Sequence, residues 1–326
     1  MSRYIDPTTD FGFKKLFGKE ANKEIVMSFI NDILELQTPL QDLRFLDKEQ
    51  LPEIIEYRGG VYDLFCTDQQ GKHYIVEMQR SPIAYIKDRM MYHSTFPPPF
   101  IITKNERNGG AEQAPKGEVL RVAEPVDAHG KKAKKVPWDF RLDAVYCIAI
   151  LGYALDGSTT AVNYNSIRND ELPHPLFYDK LQFVTVELPL FDESKPEYSL
   201  DKHLNKWLYF LNYLTDFDRV PDIFKGDEIF EKAFHLAEIA NLTPTELSQY
   251  RRSLKYLWDD YARLTTAEQK GEQKGILKGK LEVAQALLQK GSEPAFVAEV
   301  TGLSMDQIQQ LQKPAATIRK LYPTRE

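Results

Sequence analysis

The chain has 326 residues, 42% of them apolar, and a formal net charge of −6. That length fits one large domain with an appendage, or two domains, around a real core. The acidic balance excludes a uniformly basic nucleic-acid coat but leaves room for a local basic cleft, because binding follows the local field. No apolar signal region opens the sequence and no run approaches membrane-spanning length, so no membrane partner is expected. The two cysteines, Cys66 and Cys147, each sit in an apolar run. They read as small core residues in a reducing compartment, which points to the cytoplasm.

Residues 10–36 carry Phe13, Leu16, Phe17, Ile25, Phe29, Ile33 and Leu36 at helical spacing, with Gly18 between two predicted helices. A short strand is expected in 43–51 and an apolar hairpin over 60–79. Ser81 and Pro82 read as the cap and first turn of a following helix. Residues 97–137 are rich in Pro, Gly and Lys with little periodicity, and read as a mobile excursion or a loose hairpin. Strands are expected at 144–151 and 181–188. From about 199 the pattern is helical, with Leu204, Trp207, Leu208 and Leu211 on one face as core. The repeat "EQKGEQKGILKGK" at 268–280 reads as an exposed, frayed helix or a linker. Beyond it, three short amphipathic helices place Ala298, Gly302 and Ile308 at the small, turn and apolar positions of a helix-turn-helix.

The hairpin holds two acids where core residues are expected, Asp63 and Glu77. A three-residue turn, Gln69-Gln70-Gly71, puts Gly71 at a left-handed bulge position and sets Asp68 opposite Lys72. That register places Asp63 directly across from Glu77, with Cβ atoms roughly 4.5–5.5 Å apart. Gln79 shares their face by the two-residue period. Like charges directly opposite repel, so a compensating partner is expected. A divalent cation, Mg²⁺ or Mn²⁺, is one solution. Neutralisation by Arg80 or Arg89, or a solvated sheet face, is the other.

The order strand–Asp–turn–strand–Glu-x-Gln resembles the PD-(D/E)XK nuclease motif. More narrowly, "DPTTDFGFKKLFG", "FLDKEQL", "YDLFCTDQQGKHYIVEMQR", "KDRMMYHSTFP", "WDFRLDAVYCIAIL" and "LDKHLNKWLYFL" resemble the PD-(D/E)XK-family transposases, also called recombination-promoting nucleases. The resemblance implies a restriction-endonuclease-like α/β fold, a mixed sheet flanked by helices, with a helical C-terminal extension. It implies Mg²⁺-dependent or Mn²⁺-dependent hydrolysis of DNA phosphodiesters, linked to recombination or transposition. Asp63, Glu77 and the Met78 carbonyl then correspond to the metal ligands. Gln79 stands where the wider superfamily has lysine, a replacement this branch commonly shows, and Asp10 corresponds to an N-terminal helix acid, or else is a helix cap. Lys14, Lys15, Lys87 and Arg89 are the expected phosphate contacts. The family pattern passes quickly from "YHSTFP" to "WDF", so 97–137 reads as an insertion whose Lys131, Lys132, Lys134 and Lys135 form a DNA-contacting arm or serve no role.

The expected organisation is a nuclease-like domain over 1–225, a helical extension over 226–267, the Gly-punctuated repeat over 268–280, a helix-turn-helix-like unit over 281–313 and a tail over 314–326. A competing reading keeps the fold without catalysis, as a DNA-binding or self-associating protein. Gln307, Gln309 and Gln310 would face base edges, but almost no basic residues accompany them, so homo-oligomerisation through the C-terminal helices is the plainer role. The six histidines, His73, His93, His129, His174, His203 and His235, show no metal-ligand spacing, and no nucleophilic Ser or Cys arrangement or Gly-rich phosphate loop is found.

Overall fold

A computed structural model describes residues 2–45, 63–95, 142–171 and 173–312. They form two compact units, Met1–Lys255 and Tyr256–Glu326. The first helix, α1 (Asp10–Phe17), starts at Thr9, whose hydroxyl accepts from the Gly12 N–H. Phe13, Leu16 and Phe17 bury its inner face. Helix α2 (Lys23–Ile33) buries Ile25, Val26, Phe29, Ile30 and Ile33 by the same spacing.

Six strands follow the order β1-β2-β3-β4-β6-β5 in one sheet. They are β1 (Leu43–Phe45), β2 (Leu64–Asp68), β3 (His73–Gln79), β4 (Val145–Leu151), β5 (Val162–Arg168) and β6 (Leu176–Glu187). The sheet is mixed: β1, β2 and β3 pair antiparallel, β3, β4 and β6 run parallel, and β5 closes one edge antiparallel. The expected restriction-endonuclease-like α/β class is thus the observed one: a mixed sheet with flanking helices and a C-terminal helical region. Strand β5 has no counterpart in the sequence reading. Its residues "VNYNSIR" are half-buried or exposed, so no apolar run announces it.

Period-two alternation splits the sheet into two buried faces. Leu64, Cys66, Tyr74, Val76, Ile148, Ile150, Val184 and Val186 join the large core. Phe65, Ile75, Cys147, Ala149 and Leu151 join a smaller core beneath helix α3 (Ile86–Ser94), through Ile86 and Met90. The α3 start corrects the expectation at Ser81. Tyr85 takes a left-handed conformation, φ 64°, immediately before the helix, and the Ser81 carbonyl accepts from the Gln79 amide at 2.9 Å.

Helix α4 (His203–Tyr213) drives Trp207 into an aromatic cluster, 4.5 Å from Phe230, 5.7 Å from Phe29 and 5.9 Å from Phe17 between ring centroids. Burial of each such side chain contributes roughly 1.5–3 kcal/mol. Phe230 and Phe234 lie on α5 (Glu228–Ala237), so residues beyond 225, expected to begin an extension, complete this same core. At the start of α4, His203 bridges Asp32 of α2 and Asp227, the cap of α5, at 2.5 and 2.9 Å. Helix α6 (Pro244–Gln289) includes the whole 268–280 repeat, which is helix rather than linker and is largely exposed.

In the second unit, Ala284, Val297, Leu303 and Ile308 form a small core where the end of α6 meets α7 (Pro294–Thr301) and α8 (Met305–Leu311). Gly302 ends α7 at φ 66°, a left-handed conformation that favours glycine. Gln307 closes a capping box with Ser304, so its side chain serves the backbone instead of an outer surface. Among the described residues no helix is long and apolar enough to cross a membrane.

Candidate functional site

The turn sets the site. Asp68 accepts from the N–H groups of Gln70 and Lys72, and Gly71 takes φ 83°. The turn therefore spans three residues, and β2 pairs with β3 as Leu64↔Val76, Phe65↔Ile75, Cys66↔Tyr74 and Thr67↔His73. The pairing ends at Leu64↔Val76, and Asp63 is the residue just before β2 as Glu77 is the residue just after Val76. Asp63 fixes itself there by accepting from the Met78 N–H at 2.9 Å. Burial raises the Asp63 carboxyl above its ordinary range. The Met78 hydrogen bond opposes that rise, the Glu77 charge adds to it, and Lys14 and Asp10 act in opposite senses with smaller effect.

Glu77 is 4% exposed. It lies on the sheet face that α3 covers, and two α3 side chains one turn apart close on it. Arg89 brings Nε to 3.3 Å of Oε2, and the His93 Nδ1 contacts Oε1. The Arg89 side chain is 41% exposed, whereas that of His93 is 4% exposed. Arg89 therefore bridges the buried carboxylate and solvent. Sequence reasoning treated His93 as scattered. The available signal was its i+4 spacing from Arg89, which places both on one helix face, but only the fold shows that this face meets β3.

The remaining expected residues are distributed around this centre. Gln79 directs its amide to Ser81. Asp10 lies in the first turn of α1 and pairs with Lys14; Thr9, not Asp10, is the cap. Lys15 is engaged at 2.6 Å by Glu246, whose carboxyl this pairing pulls down to about 2. Lys87 is exposed on α3. Of the two alternative neutralisers, Arg80 pairs with Asp6, whereas Arg89 does pair with Glu77. The lysines of 131–135 lie outside the described residues.

Asp63, just before β2, and Glu77, on β3, offer two carboxylates as hard-oxygen donors. The Glu77 charge that raises Asp63 is the repulsion a divalent cation would relieve. Among the described residues, no group of three His, Cys, Asp or Glu is placed to hold a metal ion. A two-carboxylate set still suits Mg²⁺, which usually keeps several waters and binds through one or two carboxylates. Asp63 and Glu77 supply carboxylates of that kind, the first held by the Met78 N–H and the second by Arg89 and His93.

Two family models match the chain. One, the Rpn/YhgA-like nuclease family C-terminal HTH domain, covers residues 277–313, the unit built by the end of α6, α7 and α8. The other, the PD-(D/E)XK nuclease family transposase, covers residues 7–113 and 120–267, and so includes most of the stretch expected to depart from the family pattern. No curated protein and no solved structure matches. With more than half its length matched, the chain belongs to the PD-(D/E)XK nuclease family transposases.

Proposed function

We propose that the chain is a metal-dependent DNA endonuclease that hydrolyses phosphodiester bonds in recombination or transposition. The observation that carries this reading is the juxtaposition of Asp63 and Glu77 across β2 and β3, within a family whose name is that of a nuclease. Asp63, Glu77 and the Met78 carbonyl would hold Mg²⁺ or Mn²⁺. Once bound, the ion supplies Lewis-acid polarisation of a phosphoryl oxygen and an acidified water. The protein's own part is preorganisation. The Met78 N–H fixes Asp63, and His93 and Arg89 fix Glu77, so neither carboxylate must reorganise when DNA arrives. Asp10 stands nearby as a third acid, felt electrostatically at Asp63. Gln79 is neutral and orients by hydrogen bonding only.

Lys14, Lys87 and Arg89 are read as contacts to DNA phosphates, with Lys15 available once Glu246 releases it. The helix-turn-helix unit is read as a second DNA contact and as a site of self-association. Two buried free cysteines agree with a cytoplasmic setting. One observation favours the non-catalytic alternative: the lysine position of the motif carries a Gln already committed to Ser81. Nicking of supercoiled plasmid with Mg²⁺ separates the two. Wild type should nick, and Asp63→Ala and Glu77→Ala should each lose about 10²-fold or more, since the ion's contribution is several kcal/mol. Equal cleavage by all three proteins overturns the reading.

A further inference from the structure

Position 79 is where the motif's positive charge belongs, and this chain has none there. The Gln79 amide donates to the Ser81 carbonyl at 2.9 Å. A cation nevertheless stands at Glu77, two residues before Gln79 on β3. Arg89 reaches Glu77 from α3, Nε to Oε2 at 3.3 Å, with 41% of its side chain exposed. Ile86 and Met90 bury the neighbouring positions of α3 against Ile75, Cys147 and Ala149, so the helix that carries Arg89 is anchored on the strands that carry the acids. A guanidinium has five N–H donors, and the Nε contact uses one.

We infer that Arg89 supplies the positive charge that position 79 lacks, and that it does so on the scissile phosphate. This rests on the nuclease reading above and deepens it. In hydrolysis, water forms a new P–O bond and the P–O bond to the leaving sugar oxygen breaks. Water gives up a proton and the leaving oxygen takes one. Arg89 exchanges none of these protons, because it stays charged throughout. It holds the non-bridging oxygens, where negative charge builds in the transition state. His93 acts one step removed, as a positioning residue that holds the other oxygen of Glu77.

The test moves the charge. Wild type, Arg89→Gln, Arg89→Lys, the double variant Arg89→Gln/Gln79→Lys and Asp63→Asn are compared on duplex DNA with Mg²⁺, each checked for folding by circular dichroism. Arg89→Gln should lower kcat about 10²-fold, the loss expected for one preorganised charge stabiliser, and raise KM severalfold through the lost ground-state phosphate contact. Arg89→Lys should keep most of the rate, and Gln79→Lys should restore about tenfold or more to Arg89→Gln. In EDTA, Arg89→Gln should also reduce the salt slope of DNA binding by about one, as for one lost phosphate contact. Wild-type cleavage by Arg89→Gln, no recovery from Gln79→Lys, or an unchanged salt slope overturns the inference. Should Arg89→Gln not fold, Arg89→Lys carries the test: a rate near wild type supports the inference, and a loss as deep as that of Asp63→Asn overturns it. Equal cutting by wild type and Asp63→Asn would instead sink the nuclease reading, and this inference with it.

Discussion

Two buried glutamates lie on one face of the same sheet, and they are solved differently. Glu77 pairs in register with Ala149, and Ala149 with Thr185; two residues along, Gln79 pairs with Leu151, and Leu151 with Glu187. Glu187 is fully buried and accepts from the Leu155 N–H and from the Ser158, Asn163 and Thr185 side chains, at 2.7 to 3.0 Å. All four donors are neutral and fixed. Glu77 is nearly as buried, but its partners are a half-exposed guanidinium and an imidazole, and its charge is felt at Asp63. The difference teaches that burial of a carboxylate does not mark a site by itself. Glu187 ties the loop after β4 to β5 and β6, and its hydrogen bonds are complete. Glu77 is held in place while a like charge and a solvent-facing cation stand beside it.

Several substitutions sharpen or break this contrast. The largest effect is expected at Asp63. Asp63→Asn should lower Mg²⁺-dependent cleavage about 10²-fold or more, yet raise the melting temperature at neutral pH. The sign follows from its raised pKa: folding favours the protonated carboxyl. Stability from this group is therefore full below the ordinary value of 3.8 and declines as pH rises through the folded value. The stabilisation by Asn should vanish as pH falls below that ordinary value. A destabilised Asp63→Asn at pH 7 would contradict the electrostatic account. At Glu187 the expectation reverses. Glu187→Ala removes the acceptor of four donors, of which Asn163 keeps the Thr160 carbonyl, and should lower stability by about 3 kcal/mol in urea unfolding, since each buried unpaired group costs roughly 1–3 kcal/mol and part of the loss relaxes.

Smaller effects test the flanking helices. The hydrogen bond to Asp32 first, and Asp227 after it, raise the His203 pKa above 6.5 against partial desolvation. Stability from this bridge is full below pH 6.5 and is lost as pH rises through the raised folded value. His203→Gln should therefore lower the melting temperature most in mildly acid buffer and flatten its dependence on pH. Smallest of all, Thr9→Ala should destabilise by about 1 kcal/mol as a lost helix cap. Asp10→Asn should change stability by less than about 0.5 kcal/mol, because its pair with Lys14 is exposed. The reverse order would return the cap to Asp10.

The site's skeleton was legible because it is local. A turn of three residues with Gly71 in the left-handed position fixes the hairpin register from Thr67↔His73 to Leu64↔Val76, and Asp63 follows it to the N–H of Met78. The flanking helices showed their apolar spacing for the same reason. What was not legible depends on how distant elements meet. Nothing in "KDRMMYHSTF" says that Arg89 and His93 close on Glu77, since that requires α3 to lie across β3 and β4. Strand β5 is half-polar because it forms the sheet edge. Ser81 reads as a cap by type, but its carbonyl is taken by Gln79 and Tyr85 turns the chain before the helix begins. Glu187 sits in an alternating strand pattern that gives no sign of its role, because its four donors come from the loop after β4 and from β5 and β6.

The most direct measurement compares the two glutamates in parallel, scoring each folded variant for Mg²⁺-dependent plasmid nicking and for melting temperature. Glu77→Gln is predicted to lose about 10²-fold or more in cleavage while keeping a cooperative melt, and Glu187→Gln to melt lower while the folded protein still nicks. Wild-type nicking by Glu77→Gln would contradict the assignment of the active centre.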